Sequence, residues 1–304
     1  MRFFCLCMSP AIDATASLPS APKGEGEIFK DVSEVENVGG KAVNVARWLA
    51  LRGAAVECGG LLGEDNERPF AKELAKYAIA DRFVRVPGVT RRNEMITWPG
   101  GSVKLNRAAF PGLDRLDGLD VLAGLDRPGS QGCEVAIISG SLPSCCPKSF
   151  YADATCRLKA MELKVVVDAS GGAMRLALDA GPDLIKPNAE ECEALVGFAP
   201  KTPDEFRRAT ALLREKSEHV IISDGGAGAW FDGEYVAAPK VDVVDTTAAG
   251  DTLLAEYCWR MFSEPCDGAA RWAVAAGSAA CTMPGGAPPP TELVGRIFET
   301  MNRS

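Results

Sequence analysis

The 304-residue sequence has a single histidine, His219, and its 11 cysteines include no Cys-x-x-Cys pair. Zinc sites need Cys and His ligands grouped at short spacings, so the sequence argues against a zinc cluster. The cysteines are odd in number and form no regular framework, which favours buried or loop thiols in a reducing cytoplasm. His219 opens an apolar run, so we expect it to be structural rather than a general base.

Long hydrophobic runs and excess positive charge are also lacking. No apolar stretch approaches the roughly 20 residues of a membrane-spanning helix. The short apolar N-terminus is followed quickly by Pro10 and Asp13, which favours a core strand over a signal peptide. The net charge of −8 disfavours binding to nucleic acid or to an anionic membrane. We therefore expect a cytoplasmic protein with neither nucleic-acid nor membrane partners.

Short apolar runs alternate with helical patterns along the chain. This alternation predicts an α/β fold with a mainly parallel sheet and helices on both sides. The predicted strands are Phe3–Met8, Val56–Leu62, Val135–Ser139, Lys164–Asp168, Asp183–Lys186 and His219–Ser223, with a further strand-like run at Lys240–Val244. The predicted helices are Val43–Leu51, Arg68–Ala78, Ser149–Met161, Ala189–Val196, Pro203–Lys216, Ala249–Phe262, Asp267–Thr282 and Glu292–Met301. Thr202, with Glu205 three residues on, can cap the fifth helix.

Two regions, residues 14–37 and 88–107, interrupt this alternation. They contain Gly, Pro, charged residues and short β-like pieces such as Glu94–Trp98, and they could pair as a small antiparallel flap. The chain has no long linker, low-complexity tract or internal repeat. We therefore interpret residues 1–304 as one domain with a lid built from these two regions.

The segment Asp245–Thr252 carries the strongest chemical signal. It reads Asp-Thr-Thr-Ala-Ala-Gly-Asp-Thr and opens a predicted helix. Small residues allow close approach of a ligand, and N–H groups at a helix start attract anions. Asp251 could take a proton from a hydroxyl nucleophile while these amides hold charge on a transferring phosphoryl group. A capping turn leading into a core helix is the alternative interpretation.

A glycine pair precedes the first predicted helix. Lys41 and Asn44 follow it one turn apart and could face a ligand together. Taken alone this is a weak signal, and it favours an ordinary glycine turn.

Two turns after apolar runs carry further polar groups. In Lys186–Glu191, the side chains of Asn188 and Glu191 could organise hydrated Mg²⁺ beside phosphates, or they could cap a helix. The Gly-rich Ser223–Ala229 could pack against an adenosine, although a lone turn of this kind is unspecific.

In order and spacing, these segments resemble the ribokinase-like sugar kinases. They look most like the phosphofructokinase B branch, which includes 1-phosphofructokinase, the minor 6-phosphofructokinase and tagatose-6-phosphate kinase. The matching segments are Met8–Asp13, Gly39–Arg47, Thr90–Asn93, Ser139–Pro143, Lys186–Glu191, Asp245–Asp251 and Ala276–Ala280. The resemblance covers almost the whole chain and implies a three-layer ribokinase-like sandwich with a β-flap lid. It further implies a possible homodimer formed through that lid.

The resemblance also implies an ATP- and Mg²⁺-dependent kinase of a small phosphorylated sugar. Asp251 would be the catalytic base, with Ala248, Ala249 and Gly250 holding the γ-phosphoryl group. The implied substrate-binding residues are Asp13, Gly39, Gly40, Lys41, Asn44, Arg91, Asn93 and Ser139, with Arg92 a further candidate for the substrate phosphate. The implied nucleotide-binding residues are Lys186, Ser223, Gly225, Gly228, Gly250 and Ser278, and Asn188 and Glu191 would bind Mg²⁺ through water.

Four departures from the family pattern keep alternatives open. Ala248 and Ala42 stand where glycine is usual, Ser9 replaces a common asparagine, and Asp224 replaces an apolar residue. If residue 248 has positive φ, alanine costs about 1 kcal/mol there. A kinase of a neutral sugar or nucleoside, and a catalytically weak or inactive sugar-phosphate-binding relative, are the alternative functions.

A Rossmann-type dehydrogenase is disfavoured, because the segment Gly39–Asn44 is not GxGxxG and does not directly follow the first strand. Fructose 1-phosphate, fructose 6-phosphate and tagatose 6-phosphate are not separated at this level.

Overall fold

The computed structural model describes residues 1–30, 32–110, 113, 121 and 132–303. Residue 31, inside the first predicted lid region, lies outside the described residues. The described strands are β1 (Arg2–Cys7), β2 (Ala11–Ser17), β3 (Ser33–Gly39), β4 (Ala55–Gly63), β5 (Ala80–Val86), β6 (Arg92–Trp98), β7 (Gly101–Leu105), β8 (Val135–Ser139), β9 (Lys164–Asp168), β10 (Leu184–Ile185), β11 (His219–Ser223), β12 (Gly228–Phe231) and β13 (Glu234–Ala237).

The described helices are α1 (Lys41–Leu51), α2 (Arg68–Lys76), α3 (Phe150–Ala160), α4 (Gly171–Asp179), α5 (Glu191–Val196), α6 (Pro203–Leu213), α7 (Ala249–Phe262), α8 (Ala269–Ala280) and α9 (Thr291–Met301). Every predicted helix is present, with boundaries shifted by a few residues. The predicted cap of α6 also forms, since Thr202 Oγ1 accepts from the Glu205 N–H and Glu205 accepts from the Thr202 N–H.

A nine-stranded sheet in the order β13-β12-β11-β10-β9-β8-β1-β4-β5 forms the centre of the fold. The pairs from β11 through β5 are parallel, whereas β12 and β13 pair antiparallel at one edge. Alternate residues of β1 enter separate hydrophobic clusters, Phe3 and Cys5 in one, Phe4 and Leu6 in the other. The central strands β1, β8 and β9 are apolar on both faces because helices cover both faces of the sheet. The predicted three-layer α/β architecture is confirmed.

The second sheet has the order β3-β2-β6-β7. It is mixed rather than antiparallel, because its central pair β2–β6 runs parallel, from Ile12 opposite Arg92 to Ser17 opposite Thr97. The antiparallel expectation is therefore wrong at this pair. Both strands follow parallel strands of the main sheet, β1 and β5, and so they leave its carboxyl edge in the same direction.

The strand-like run Lys240–Val244 is not a strand. Its last residues are held by the Cys281 carbonyl, which accepts from the N–H groups of Val244 (2.8 Å) and Asp245 (3.1 Å). Val243 and Val244 are 63% and 62% exposed. The apolar sequence predicted burial here, but no strand among the described residues pairs with this segment.

Elements that the patterns missed have weak signals of their own. α4 begins with two glycines, which disfavour helix, and β5 alternates charged with apolar residues.

His219 makes a 2.8 Å hydrogen bond from Nδ1 to Asp232, which joins the start of β11 to the turn after β12. All eleven cysteines are free. No helix in the described part of the chain is long and apolar enough to span a membrane.

Candidate functional site

The candidate site lies at the carboxyl edge of the parallel strands. Ser139 ends β8, Asp168 ends β9, Lys186 follows β10 and Ser223 ends β11. Parallel strands present their carboxyl ends at one edge of the sheet, where ligands bind in folds of this kind. The first turn of α7, with Asp251, meets the same edge.

Asp251 is a buried carboxylate, only 6% exposed. Asn44, on α1, donates from Nδ2 to its Oδ2 at 2.7 Å. Burial and the nearby charge of Asp168 raise its pKa to about 6, against the opposing effects of Lys41, Asn44 and Lys186. A carboxylate with a pKa slightly below neutrality is mostly ionised at pH 7 and suits general-base catalysis.

Asp168 is a site residue that the sequence analysis missed. It is fully buried, and its Oδ1 lies 3.3 Å from both Lys41 Nζ and Lys186 Nζ. Ser139 Oγ donates to its other oxygen at 3.2 Å. Burial acts to raise its pKa, but Lys186 and Lys41 outweigh burial and lower it. Its position at the end of a predicted strand was the available signal.

Ala248 precedes α7 in the left-handed conformation, with φ 63° and ψ 4°. Residue 248 therefore has the positive φ at which alanine is unfavourable, and alanine costs about 1 kcal/mol here relative to glycine. A Cβ on Gly250 would lie 3.6 Å from Lys186 Nζ. The Ala249 N–H donates to the Thr246 carbonyl at 3.3 Å, whereas the first-turn N–H groups of Gly250 and Asp251 have no partners within the helix. These two amides and the Lys186 ammonium group could together hold an anion, and we call this place the anion-binding corner.

Gly39 and Gly40 bring the start of α1 against β1 and β2. A Cβ on Gly39 would overlap the Asp13 carboxylate, so any other residue here would require the Asp13 side chain to move. Gly40 has φ 118°, and its Cβ would lie 2.9 Å from Cys7 Sγ. Asn93 Nδ2 donates to Asp13 Oδ1 at 2.8 Å, which fixes the Asp13 carboxylate on the lid sheet.

Arg91 and Arg92 have different surroundings. Arg91 donates from Nη2 to the Ser9 carbonyl at 3.3 Å, near the start of β2. Arg92 forms ion pairs with Glu34, Glu36 and Glu94 on the lid. Successive strand residues point to opposite faces, so Arg92 lies on the face opposite Asn93. We therefore remove Arg92 from the candidates for substrate phosphate.

A cavity between the lid sheet and the main body joins several of these residues. Asp13, Asn93 and Lys104 line it from the lid, and Thr247 and Gly285 line it from the other side. Lys104 pairs with Met95 in the lid sheet and was not singled out from the sequence. Its strand has no helical or catalytic pattern, and only the pairing register assigns it to the cavity face.

Asn188 and Glu191 hold each other at the start of α5. Asn188 Oδ1 accepts from the Glu191 N–H at 2.7 Å, and Glu191 Oε2 accepts from the Asn188 N–H at 2.9 Å. The capping interpretation is therefore realised. The charge of Glu191 also contributes to the raised pKa of Lys41, so the carboxylate lies toward the charged cluster.

The remaining predicted residues lie on neighbouring turns. Ser223 forms an isolated parallel β-bridge with Asn188. Gly228 has φ 142°, and a Cβ there would lie 2.2 Å from the Val236 carbonyl, so it is required by the β12–β13 hairpin. Gly225 begins the 3₁₀ turn between β11 and β12. Ser278 is buried on α8. Among the described hydrogen bonds none joins Gly225 or Gly228 to Asp251, and their nucleotide role stays a prediction.

Three comparisons with known proteins bear on this site. A sequence profile described as pfkB family carbohydrate kinase matches residues 6–292. The 1-phosphofructokinase of Vibrio cholerae is 32% identical over 260 residues, which are 84% of this chain and 81% of that protein. The 1-phosphofructokinase of Escherichia coli K12 is 34% identical over 265 residues, 83% of this chain and 82% of that protein.

Among solved structures, phosphofructokinase-2 from Escherichia coli, in complex with substrates and products, superposes with a TM-score of 0.88. It is 24% identical, and the match covers 100% of both chains. This likeness concerns the fold.

Proposed function

The chain belongs to the pfkB family of carbohydrate kinases, and from that premise we propose that it transfers the γ-phosphoryl group of ATP to a hydroxyl of a phosphorylated hexose, with Asp251 as the catalytic base. The observation that carries the proposal is the buried Asp251 carboxylate, hydrogen-bonded to Asn44 at 2.7 Å in the first turn of α7. A proton acceptor and a set of amide donors thus lie side by side, as phosphoryl transfer to an alcohol requires.

The base acts on a sugar held from the lid side. Asp13 and Asn93 present polar groups on the lid sheet, and Asn44 lies beside the base. A sugar hydroxyl bound to Asp251 would lose its proton to Oδ1 as it attacks, because Oδ2 already accepts from Asn44. The pKa of about 6 keeps the carboxylate mostly ionised at neutral pH.

The phosphoryl group would lie over the amides of Gly250 and Asp251, next to Ala249, whose own N–H donates to the Thr246 carbonyl. Lys186 supplies a positive charge at the same corner, near Gly250. Phosphoryl transfer depends chiefly on positioning and on electrostatic stabilisation of the equatorial oxygens. Fixed amides at a helix N-terminus provide both without reorganisation.

The residues fit Mg²⁺ bound through water. No group of three or more His, Cys, Asp or Glu side chains that could hold a metal directly exists in the described part of the chain. One carboxylate oxygen of Glu191 accepts from Asn188, which leaves its second oxygen to bind water. Mg²⁺ commonly keeps several waters and binds one or two carboxylates together with substrate phosphates. When bound, it would offset the charge of the nucleotide phosphates.

A phosphorylated hexose is the favoured acceptor because three cationic side chains are candidates for binding its phosphate. Lys41 lies on α1, Arg91 immediately precedes β6, and Lys104 lies on β7. Their number suits an acceptor that already bears a phosphate. The curated relatives named 1-phosphofructokinase support the same class and make fructose 1-phosphate the first candidate.

Two further inferences concern the setting of the enzyme. We infer a homodimer formed through the lid, because Val103 and Leu105, on one face of the edge strand β7, are 46% and 44% exposed, and exposed apolar residues favour association. We also infer a cytoplasmic location from the free cysteines.

The proposal is tested by ADP release with Mg-ATP against fructose 1-phosphate, fructose 6-phosphate, tagatose 6-phosphate, fructose and ribose. The Asp251→Asn protein, which keeps the size of the side chain, is the control. We expect turnover on one phosphohexose and none in the control. Preference for fructose or ribose would support the neutral-sugar alternative. A folded protein that binds sugar phosphate without turnover would support the inactive alternative, with Ala248 as the residue to examine.

A further inference from the structure

Arg47 is a buried arginine on α1 whose guanidinium connects Asn44 with α2 and with the turn at Gly286. Arg47 is only 4% exposed. Nη2 donates to Asn44 Oδ1 at 2.5 Å and to the Gly286 carbonyl at 3.2 Å. Nη1 donates to Glu73 Oε1, on α2, at 3.0 Å. A guanidinium has only donors and stays charged, so it fixes which atoms of its neighbours face it.

The amide of Asn44 needs such a constraint. Its oxygen and NH₂ group are nearly equal in size, and a half-turn of the amide exchanges them. With NH₂ toward Asp251 the amide donates to the carboxylate at 2.7 Å. In the reverse orientation, two oxygens would face each other, and Arg47 would face an NH₂ group that cannot accept. Arg47 therefore favours the orientation that serves Asp251.

We propose that Arg47 is a positioning residue for phosphoryl transfer: it fixes the amide of Asn44 so that the Asp251 carboxylate keeps its hydrogen-bond donor. The inference rests on the proposed role of Asp251 as base. Arg47 makes no contact with Asp251 among the described hydrogen bonds and ion pairs, so it acts through Asn44.

The same guanidinium also holds the anion-binding corner. It binds the carbonyl of Gly286, which has a positive φ of 67°. A Cβ at Gly286 would lie 3.1 Å from Thr247 Cγ2 and 3.5 Å from Ala248 Cβ, so this glycine packs directly against the start of α7. Arg47 thus links the orientation of the base's donor to the backbone that precedes the phosphate-binding amides.

The hydrogen bond from Asn44 affects the pKa of Asp251, because opposing charges act on this carboxyl group. Burial and Asp168, at the end of β9, raise the pKa of Asp251, whereas Lys41, Asn44 and Lys186 lower it. Loss of a donor to the charged form shifts a carboxyl pKa upward. The base would then be protonated over a wider range of acidic pH.

The test compares Arg47→Met with Glu73→Gln. Arg47→Met removes the guanidinium, whereas Glu73→Gln keeps an acceptor for it and leaves the Arg47–Asn44 contact intact. We expect the pKa of Asp251 to rise by about one unit in Arg47→Met and to stay unchanged in Glu73→Gln. Starting from a value of about 6, that shift would reduce kcat about fivefold at pH 6 and by less than twofold at pH 8, with KM for ATP little changed.

The carboxyl titration is measured by ¹³C NMR on aspartate-labelled protein without ligand, with the Asp251 signal assigned by its loss in Asp251→Asn. Because this measurement needs no turnover, it separates the two ideas. If the parent protein phosphorylates no sugar but Arg47→Met shifts the titration, the proposed function fails and the positioning link stands. If the parent turns over and the titration does not move, the positioning link is wrong.

A double-variant experiment tests the route through Asn44. In an Asn44→Ala background, Arg47→Met should shift the titration no further, because the amide that it orients is gone. An equal shift in that background would overturn the inference. Arg47→Lys, also a donor only, should restore part of the parent titration, and it replaces Arg47→Met if circular dichroism shows that Arg47→Met does not fold.

Discussion

Replacing Asp251 with asparagine should make the protein more stable at neutral pH while removing its activity. Burial and Asp168 raise the pKa of Asp251 from 3.8 to about 6. One pKa unit corresponds to about 1.4 kcal/mol, so the ionised carboxylate costs about 3 kcal/mol of folding free energy above pH 7. Asparagine has no charge to bury and can still accept from Asn44.

The sign of the pH dependence is fixed by the direction of the shift. Between about pH 4 and pH 6 the folded protein binds the Asp251 proton while the unfolded chain releases it, so parental stability falls as pH rises through this window. The advantage of Asp251→Asn should therefore be small near pH 4 and reach its full size above pH 7.

Asp168 supplies the matched control because its pKa is shifted the opposite way, downward by Lys186 and Lys41 against the effect of burial. Its ionised form stabilises the fold above its unfolded pKa, and that stability is lost as pH falls through the folded pKa. Asp168→Asn should therefore lower stability at neutral pH.

Denaturant unfolding of the three proteins at pH 4.5, 6 and 7.5 gives the free energies. Equal stability of Asp251→Asn and parent at pH 7.5, or a difference that does not shrink toward pH 4.5, would refute the reasoning about the buried charge.

Two further predictions concern the anion corner and the substrate phosphate. Ala248→Gly removes a left-handed alanine and should raise the free energy of unfolding by about 1 kcal/mol, with kcat unchanged or higher; a less stable variant would contradict the backbone assignment. Arg91→Ala should raise KM for the sugar phosphate at least tenfold and leave KM for ATP unchanged, because a charge-assisted hydrogen bond contributes about 1.5–3 kcal/mol. Arg92→Ala is its control and should leave both constants near the parent values, since Arg92 pairs with lid glutamates; equal effects of the two variants would contradict the face assignment.

The layered core was predictable from the sequence because its signal is local. A strand such as β1 is apolar on both faces, and α7 begins and ends at the predicted residues, Ala249 and Phe262. Burial determines these patterns directly. The rule that an apolar run forms a buried strand failed at Val243 and Val244, which are exposed. Sequence hydrophobicity does not reveal whether a neighbouring strand exists.

The parts of the site that escaped prediction depend on contacts between distant segments. Asp168 was found within a predicted strand, but its importance comes from Lys41, 127 positions away along the chain. Lys104 joins the cavity only through the register of β7 against β6. The parallel direction of β2 and β6 depends likewise on where β1 and β5 end, which no local pattern contains.

The arrangement around Asp251 explains how the proposed base can remain charged in a buried position. Two buried carboxylates, Asp251 and Asp168, repel each other, and two lysines and one amide offset that repulsion. Both lysines sit on Asp168 rather than on Asp251, so Asp251 keeps a pKa close enough to neutrality to accept a proton and to release it afterwards. A direct lysine partner would stabilise the carboxylate further but would make it a weaker base. Because Asp168 holds the two ammonium groups, Asn44 is left as the neutral donor to Asp251, and the orientation of that one amide becomes a determinant of basicity.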